Sequence, residues 1–236
     1  MLLLHGALGS AEQLQPLADA LGGYVTVHKF NFSGHGGRPF SADPFSIALF
    51  SNEIKGYMQQ HAIDRAAVFG YSMGGYAAMY LAKHFPGKIS TLITLATKWH
   101  WDEAIAAREI KMLDANIIRE KLPAFATQLQ QRHAPNDWTI VLEKTAALLL
   151  DLGKQNALQS EDYASINIPC LLLLGDRDKM VTADETIAIS QKLPAAQFSL
   201  LPNTPHPFEQ VDISLLAQTI KDFIDSRYLQ TEEEPH

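Results

Sequence analysis

The sequence predicts an α/β fold in which a mostly parallel, doubly wound sheet carries an inserted helical cap. Short apolar runs alternate with segments of helical period along most of the chain, and this alternation stops between about residues 97 and 165. Such alternation is typical of a parallel sheet covered by helices. We therefore expect a core of residues 1–97 and 166–230, a helical cap of residues 98–165 and a flexible acidic tail of residues 231–236.

Six short runs rich in apolar or β-branched residues predict the strands of this sheet. They are Met1–Leu4, Tyr24–Phe30, Ala66–Gly70, Ile89–Ala96, Ile168–Leu174 and Gln197–Leu201. Runs of this kind, bounded by turn-forming residues, are typical of buried parallel strands. The lone cysteine, Cys170, lies inside the fifth run, where we interpret it as a core thiol without a disulfide partner.

Helices are predicted between these strands by start signals and by the spacing of apolar residues. Ser10 with Gln13 is interpreted as a capping box that begins a helix ending near residue 21. Thr182 with Glu185 repeats this pattern before a helix ending near residue 193. Two further segments carry apolar residues at helical spacing, and we interpret both stripes as core faces. The stripes are Ile47, Phe50, Ile54 and Met58, and Ile213, Leu216, Ile220 and Phe223.

The segment from Thr97 to Ser165 predicts three helices, broken at Pro123 and Pro135, and contains no convincing strand. Its apolar side chains could line an apolar pocket or form the cap's own core, and the sequence leaves both possibilities open. These side chains are Ile110, Met112, Leu113, Ile117, Ile118, Leu122, Phe125 and Leu129.

The bulk composition limits the possible partners. With 47% hydrophobic and 19% charged residues, the chain has the composition of an ordinary soluble globule. Its net charge of −7 argues against nucleic acid or an anionic membrane surface as a main partner. We recognise no signal peptide, and no apolar stretch approaches the roughly 20 residues of a membrane-spanning helix. We expect a cytoplasmic monomer or homodimer that acts on a small molecule and uses no cofactor.

The strongest chemical signal is the segment Gly70–Gly75, with the sequence GYSMGG, between a predicted strand and a predicted helix. A serine on such a tight turn needs glycine on both sides, because the backbone is strained and the neighbouring elements pack closely. The following helix directs free N–H groups and the positive end of its dipole toward the serine. A glycine-rich turn that contains serine by chance is the alternative, and the flanking strand and helix favour Ser72 as a nucleophile.

A second segment, His5–Ser10 with the sequence HGALGS, joins the first predicted strand to the first predicted helix. A glycine-rich loop at this position can turn a backbone N–H toward the nucleophile. The amides of Ala7 and Met73 are therefore the candidate donors of an oxyanion hole. Without Ser72, a phosphate-binding turn or a plain loop would explain this segment equally well.

Acidic and basic side chains follow the last two predicted strands. Asp176 and Asp178 come after the fifth strand, and His206 comes after the sixth. The carboxyl ends of parallel strands meet at one edge of a sheet, so these side chains can converge on Ser72. The chain order Ser, Asp, His fits a triad in which His206 is the base and an aspartate orients it.

In these motifs the sequence resembles the capped α/β-hydrolase superfamily over nearly its whole length. The match comprises the nucleophile elbow, the His-Gly loop, a Gly-x-x-Asp turn at residues 175–178 and a His-x-x-Glu segment at residues 206–209. The resemblance implies the α/β-hydrolase fold with a cap domain, and a serine esterase with a catalytic triad. It also implies that Asp178 is the acid, whereas Asp176 matches a variable position.

The sequence departs from the superfamily pattern at two places. The superfamily usually has two further strands before the His-Gly loop, so we expect a truncated or different sheet edge. Asn31 stands where the turn Asp-x-x-Gly-His-Gly usually has aspartate. Since that aspartate is structural in the superfamily, we expect little catalytic effect.

The resulting hypothesis is hydrolysis of an ester or thioester of a small apolar molecule through an acyl-enzyme. Serine at the elbow argues against haloalkane dehalogenases and epoxide hydrolases, which the resemblance associates with an aspartate nucleophile. Carbon–carbon bond hydrolysis, a lyase reaction like that of the menaquinone-pathway synthase, and non-catalytic ligand reception are the alternatives. The candidate pocket residues are Leu8, Tyr71, Trp99 and Trp101.

Four other histidines are interpreted as structural or solvated: His35, His61, His84 and His133. The sequence has no H-E-x-x-H or comparable ligand spacing, so we expect no metal site. For Trp99 and Trp101, packing under the cap is the alternative to lining the pocket.

Overall fold

In the computed structural model, which describes residues 1–232 and side chains through Ser226, six strands form one sheet. The strands are β1 (Leu2–Leu4), β2 (His28–Lys29), β3 (Ala66–Tyr71), β4 (Ile89–Leu95), β5 (Cys170–Gly175) and β6 (Ala196–Leu201). Every neighbouring pair in the order β2-β1-β3-β4-β5-β6 is parallel. The predicted doubly wound parallel sheet is therefore confirmed.

Helices connect the strands and cover both faces of the sheet. They are α1 (Gln15–Leu21), α2 (Ile47–Gln60), α3 (Met73–His84), α4 (Glu103–Glu109), α5 (Ala115–Lys121), α6 (Pro123–His133), α7 (Trp138–Lys154), α8 (Ser160–Tyr163), α9 (Ala183–Ser190) and α10 (Ile213–Glu232). Among the described residues, no helix combines the length and apolar character needed to cross a membrane.

The two faces of the sheet bury separate apolar cores. Leu2 and Leu4 of β1 belong to one core, and Leu3 belongs to the other, because side chains alternate along a strand. The first core includes Ile54 of α2, and the second includes Ile220 of α10. The apolar stripes that the sequence places on these two helices are therefore core faces.

Strand order sets the position of the functional crevice. The chain runs from β1 outward to β2 and then returns to the other side of β1 as β3. The connections after β1 and after β3 consequently leave the sheet toward opposite faces, which opens a crevice at the carboxyl ends of these strands. The loop His5–Ser10 and the elbow at Ser72 follow these two strands directly.

Strand β2 is shorter than the sequence predicts. We expected residues 24–30, whereas only His28 and Lys29 pair with β1. The amides of Tyr24 and Val25 donate instead to the carbonyl of Leu21, so these residues continue the turn that ends α1. The predicted start of β2 was wrong because Tyr24 and Val25 belong to the turn after α1 and do not pair with β1.

The two predicted capping boxes also differ from expectation. Ser10 makes no side-chain cap, and a short 3₁₀ segment, Ala11–Leu14, precedes α1. The amide of Ala11 donates to Oδ1 of Asn31 at 2.6 Å, so a distant side chain satisfies the helix start. Thr182 does cap α9, accepting from the amide of Glu185 at 3.2 Å, but the Glu185 carboxylate points elsewhere.

Residues 98–165 fold as the five helices α4–α8 rather than the predicted three. Pro123 begins α6, and Pro135 lies between α6 and α7, so both predicted breaks coincide with helix boundaries. Asp114 and Asp137 are N-caps of α5 and α7 that were not predicted from the sequence. At the other end, α10 includes the first two residues of the predicted tail, 231–236, and residues 233–236 lie outside the described residues.

Candidate active site

Ser72 occupies a strained turn between β3 and α3. Its φ of 50° lies in the left-handed region that residues with a side chain rarely adopt. A Cβ on Gly74 would lie 2.6 Å from the carbonyl oxygen of His5, and one on Gly70 would lie 2.5 Å from Gly75. Glycine is therefore required on both sides of the serine, because the helix start packs directly against β1 and the end of β3.

The loop after β1 lies against Ser72. A Cβ on Gly6 would lie 3.1 Å from the Ser72 Cβ, and the amide of Gly9 donates to the Gly6 carbonyl at 3.1 Å. Within the described residues, the amides of Ala7 and Met73 have no hydrogen-bond acceptor. Two backbone donors are thus available next to the serine, which is the arrangement an oxyanion hole requires.

His206 is paired with Asp178. Its Nδ1 lies 2.8 Å from Asp178 Oδ2, while the amides of Met180 and Val181 donate to Asp178 Oδ1 at 2.8 and 2.9 Å. Burial alone would raise the pKa of Asp178, but the hydrogen bond and charge of His206 and the two amides together lower it. Asp178 is therefore a buried carboxylate that fixes the proton of His206 on Nδ1.

Asp176, the other candidate acid, has a different partner. It is exposed, and its Oδ1 accepts from the amide of Thr204 at 3.1 Å. This bond ties the turn after β5 to the turn after β6. The arrangement gives Asp176 a structural contact, and it places Asp178 alone against the imidazole of His206.

Ser72 and His206 line the same cavity. Within the described residues, the Ser72 Oγ has no hydrogen bond to the imidazole of His206. Such bonds are often long in unliganded sites and tighten when substrate binds, so the geometry is compatible with proton transfer between them.

Tyr71 holds the backbone of the candidate base. Its hydroxyl donates to the carbonyl oxygen of His206 at 2.8 Å, and burial raises the pKa of this hydroxyl so that it remains a donor. We expect Tyr71→Phe to lower kcat about fivefold, the effect of losing one ordinary hydrogen bond of roughly 1 kcal/mol. The measurement is ester turnover, with Tyr57→Phe as the matched control. An unchanged rate in Tyr71→Phe would exclude this positioning role.

The cavity around Ser72 has a volume of about 540 Å³. Of the four predicted pocket residues, Leu8, Tyr71 and Trp101 line it, and Trp99 does not. The carboxylate of Glu185 accepts the amides of Trp99 and His100 at 2.6 and 2.8 Å. The Trp99 ring consequently packs edge-on against Tyr76 and Tyr163, so that part of the prediction was wrong.

Much of the remaining cavity wall comes from residues of the predicted cap, 98–165, and sequence reasoning missed a large part of it. Leu148, Leu149 and Leu152 of α7 line the cavity, as do the charged residues Lys98, Arg108, Glu109 and Lys179. The apolar spacing on α7 could have identified a buried face, but not which cavity that face meets.

The apolar cap residues divide between the two roles that the sequence left open. Met112 and Leu113 line the cavity with Ser72. Ile118 and Leu129 instead form a small core of the cap with Trp138 and Leu142. Ile117 and Leu122 are exposed and take neither role, and Met112 is also largely exposed although it lines the cavity.

Three histidines lie buried together beside the site. The rings of His5 and His133 lie 5.2 and 5.6 Å from that of His35, and all three side chains are inaccessible to solvent. Burial lowers the pKa of His35 to about 4, and burial with the neighbouring His35 and Arg132 lowers that of His133 to about 3. His133 is therefore neither solvated nor charged near neutral pH, whereas His61 is exposed.

Comparison with known proteins identifies the family. A model described as the alpha/beta hydrolase family matches residues 1–212. A 2-(acetamidomethylene)succinate hydrolase of Mesorhizobium japonicum is 21% identical, over 96% of this chain and 88% of that protein. A pimeloyl-[acyl-carrier protein] methyl ester esterase of Neisseria meningitidis is 25% identical, over 94% of this chain and 92% of that protein.

A solved structure shows the same fold. The enol-lactonase of Burkholderia xenovorans superposes with a TM-score of 0.76 at 18% identity, over 95% of this chain and 90% of that one. The strained serine, the histidine–aspartate pair and the six-stranded parallel sheet fit this likeness. Because the family match covers most of the chain, the protein belongs to the alpha/beta hydrolase family.

Proposed function

We propose that this protein is a serine hydrolase that cleaves an ester or thioester of a small apolar acyl group. One observation carries the proposal: a single cavity is lined by a strained serine, by a histidine paired with a buried aspartate, and by two residues whose backbone amides have no acceptor in the described part of the chain. Nucleophile, base and oxyanion donors are the parts that acyl transfer requires. The Neisseria relative, named a methyl ester esterase, supports ester chemistry.

In the proposed mechanism, His206 Nε2 accepts the proton of Ser72 Oγ as that oxygen attacks the acyl carbon. The imidazolium donates from Nδ1 to Asp178, whose charge stabilises it, and the amides of Ala7 and Met73 donate to the new oxyanion. His206 then protonates the leaving alcohol or thiol, and an acyl-enzyme remains. Water, deprotonated by His206, attacks the acyl carbon and releases the acid and free Ser72.

The substrate class follows from the cavity walls. Leu148, Leu149 and Leu152 of α7 line the cavity, and Met112 and Leu113 line it from the segment before α5. Apolar walls of this kind favour a hydrocarbon acyl group over a polar one. Lys98, the most buried cation at the cavity, is neutralised by Glu185 at 3.0 Å.

Turnover of p-nitrophenyl esters and acyl thioesters tests the proposal. The wild-type protein is expected to hydrolyse at least one acyl ester, and Ser72→Ala is expected to reduce that rate to the level of protein-free buffer. Equal rates for the two proteins would overturn the proposed nucleophile. Turnover of neither substrate class by wild type would favour carbon–carbon bond chemistry, a lyase reaction or a ligand receptor.

Acyl-chain preference provides a sharper prediction. Leu149 lines the cavity, whereas Leu150, the next residue of α7, is 40% exposed. We expect Leu149→Trp to lower kcat/KM for octanoyl esters at least about tenfold while leaving acetyl esters within about twofold, because the indole fills space that the longer chain needs. Leu150→Trp should behave as wild type. Equal losses for both chain lengths in Leu149→Trp would place the acyl group elsewhere.

A further inference from the structure

The carbonyl oxygen of Leu8 accepts two hydrogen bonds from the end of cap helix α6. Arg132 Nη1 donates at 2.9 Å, and His133 Nε2 lies at 3.2 Å. Leu8 itself has a φ of 58°, in the left-handed region that costs a leucine roughly 1 kcal/mol or more. A strained conformation persists where surrounding contacts hold it, and these two bonds come from residues 124 and 125 positions later in the chain.

The two bonds act on the Leu8–Gly9 peptide, which is hydrogen-bonded to the peptide unit that carries the candidate oxyanion donor, because the Gly6 carbonyl and the Ala7 N–H belong to that unit. The Leu8 carbonyl and the Gly9 amide belong to one planar unit, and the Gly9 amide donates to the Gly6 carbonyl at 3.1 Å. That unit is therefore fixed at both ends, on the oxygen by α6 and on the nitrogen by Gly6. Ala7 lies inside the turn so formed, and the direction of its N–H depends on that turn.

Arg132 also reaches the segment that carries the candidate base. Its Nη2 lies 2.9 Å from Glu209 Oε1, and Gln13 Nε2 donates to the same oxygen at 2.9 Å. Glu209 is three residues beyond His206. The guanidinium thus joins the cap, the His5–Ser10 loop and the segment after β6, and its planar fork suits two acceptors at once.

His133 can donate to Leu8 in one tautomer only. Its Nδ1 accepts the amide proton of Gly36 at 3.2 Å, so the ring proton lies on Nε2, toward the Leu8 carbonyl. Burial keeps this ring neutral at ordinary pH. Neighbouring His35 and Arg132 are the titratable and charged groups beside it, and both oppose its protonation.

We propose that Arg132 and His133 are positioning residues that hold the Leu8–Gly9 peptide so that the Ala7 amide points at the oxyanion. The proposal rests on the proposed function, because it assigns a role within that site. In this proposal the end of α6 contributes to catalysis. It orients a donor that stabilises the transition state, whereas other parts of the predicted cap line the cavity for the acyl group. Ground-state substrate binding does not involve these bonds.

The activity test replaces Arg132 by methionine, which keeps an unbranched apolar stem and removes the hydrogen bonds of Arg132 to Leu8 and to Glu209, while the contact from His133 remains. We expect kcat for a p-nitrophenyl ester to fall about 10- to 100-fold with KM within about threefold, since one oxyanion donor is typically worth 10²–10³ in kcat. Arg132→Lys should recover part of the loss, because an ammonium can still donate to Leu8. Arg119→Met, at an exposed cap arginine, should retain the wild-type kcat.

Hydrogen exchange of the Gly9 amide, followed by NMR, tests the same contact without any turnover. Arg132→Met is expected to speed this exchange at least about tenfold, whereas Arg119→Met should leave it unchanged. If no ester is cleaved by wild type, the proposed function fails while the exchange result still decides whether α6 holds the loop. Unchanged Gly9 exchange in folded Arg132→Met, or a raised KM with unchanged kcat, would overturn the positioning role.

Discussion

Asp178→Asn is expected to lower kcat for ester hydrolysis about 10³- to 10⁴-fold. The amide of asparagine can present its NH₂ group to His206 Nδ1, which then becomes the acceptor and moves the ring proton to Nε2. In that tautomer the imidazole cannot accept the Ser72 proton. The present 2.8 Å contact between Asp178 Oδ2 and Nδ1 prevents this, because a carboxylate only accepts.

Asp176→Asn is the matched control for this substitution, and it decides between the two aspartates that the sequence brings near the base. Among the described residues, the carboxylate of Asp176 accepts from the amide of Thr204, and an asparagine Oδ1 can replace that acceptor. We expect kcat within about threefold of wild type. Steady-state kinetics of both variants, with circular dichroism to verify folding, gives the comparison. A larger loss in Asp176→Asn than in Asp178→Asn would reverse the assignment.

Acid is expected to destabilise this protein through its buried histidines. A histidine whose pKa is about 4 in the folded chain, as for His35, and about 6.5 in the unfolded chain binds more protons when unfolded. Its contribution to stability is therefore complete above pH 6.5 and is lost as the pH falls toward 4. For His35 alone the loss between pH 7 and pH 4.5 is about 2 kcal/mol in the free energy of unfolding.

Urea denaturation at these two pH values tests this prediction. His35→Phe removes the titrating ring and keeps an aromatic side chain between Phe45 and Phe50. The hydrogen bond from His35 Nδ1 to the Ser33 carbonyl is lost at both pH values, so it cancels from the difference. The variant should lose about 2 kcal/mol less than wild type on acidification. His61→Phe, at an exposed histidine, should lose as much free energy of unfolding on acidification as wild type. An equal loss in wild type, His35→Phe and His61→Phe would contradict the prediction.

The convergence of Ser72, Asp178 and His206 could be anticipated because the physics is local and topological. Each residue follows a strand, the strands are parallel, and the carboxyl ends of parallel strands share one edge. The glycines at 70, 74 and 75 also indicate the tight turn around Ser72, because neighbouring atoms lie too close there for a residue with a Cβ. The strands and helices of the core were predictable because short apolar runs alternate with segments of helical period along the chain.

Other features depend on contacts between distant segments, which no local pattern encodes. Trp99 turns away from the cavity because Glu185, 86 residues later, holds its amide. His133 joins a buried cluster because α6 returns against the loop after β1. Asn31 accepts the amide of Ala11 at 2.6 Å and donates to the Gly36 carbonyl at 2.9 Å, and the second bond is one that an aspartate at this position could not make.

The measurement that most directly tests the central claim is covalent labelling of Ser72 by a fluorophosphonate, followed by intact-mass and peptide analysis. The folded protein is expected to gain one phosphonyl group, on Ser72, and to lose ester turnover in step with labelling. His206→Ala should label at least about 10²-fold more slowly, because the serine then lacks its base. Absence of labelling in a folded sample, or labelling of another residue with Ser72 unmodified, would contradict the account.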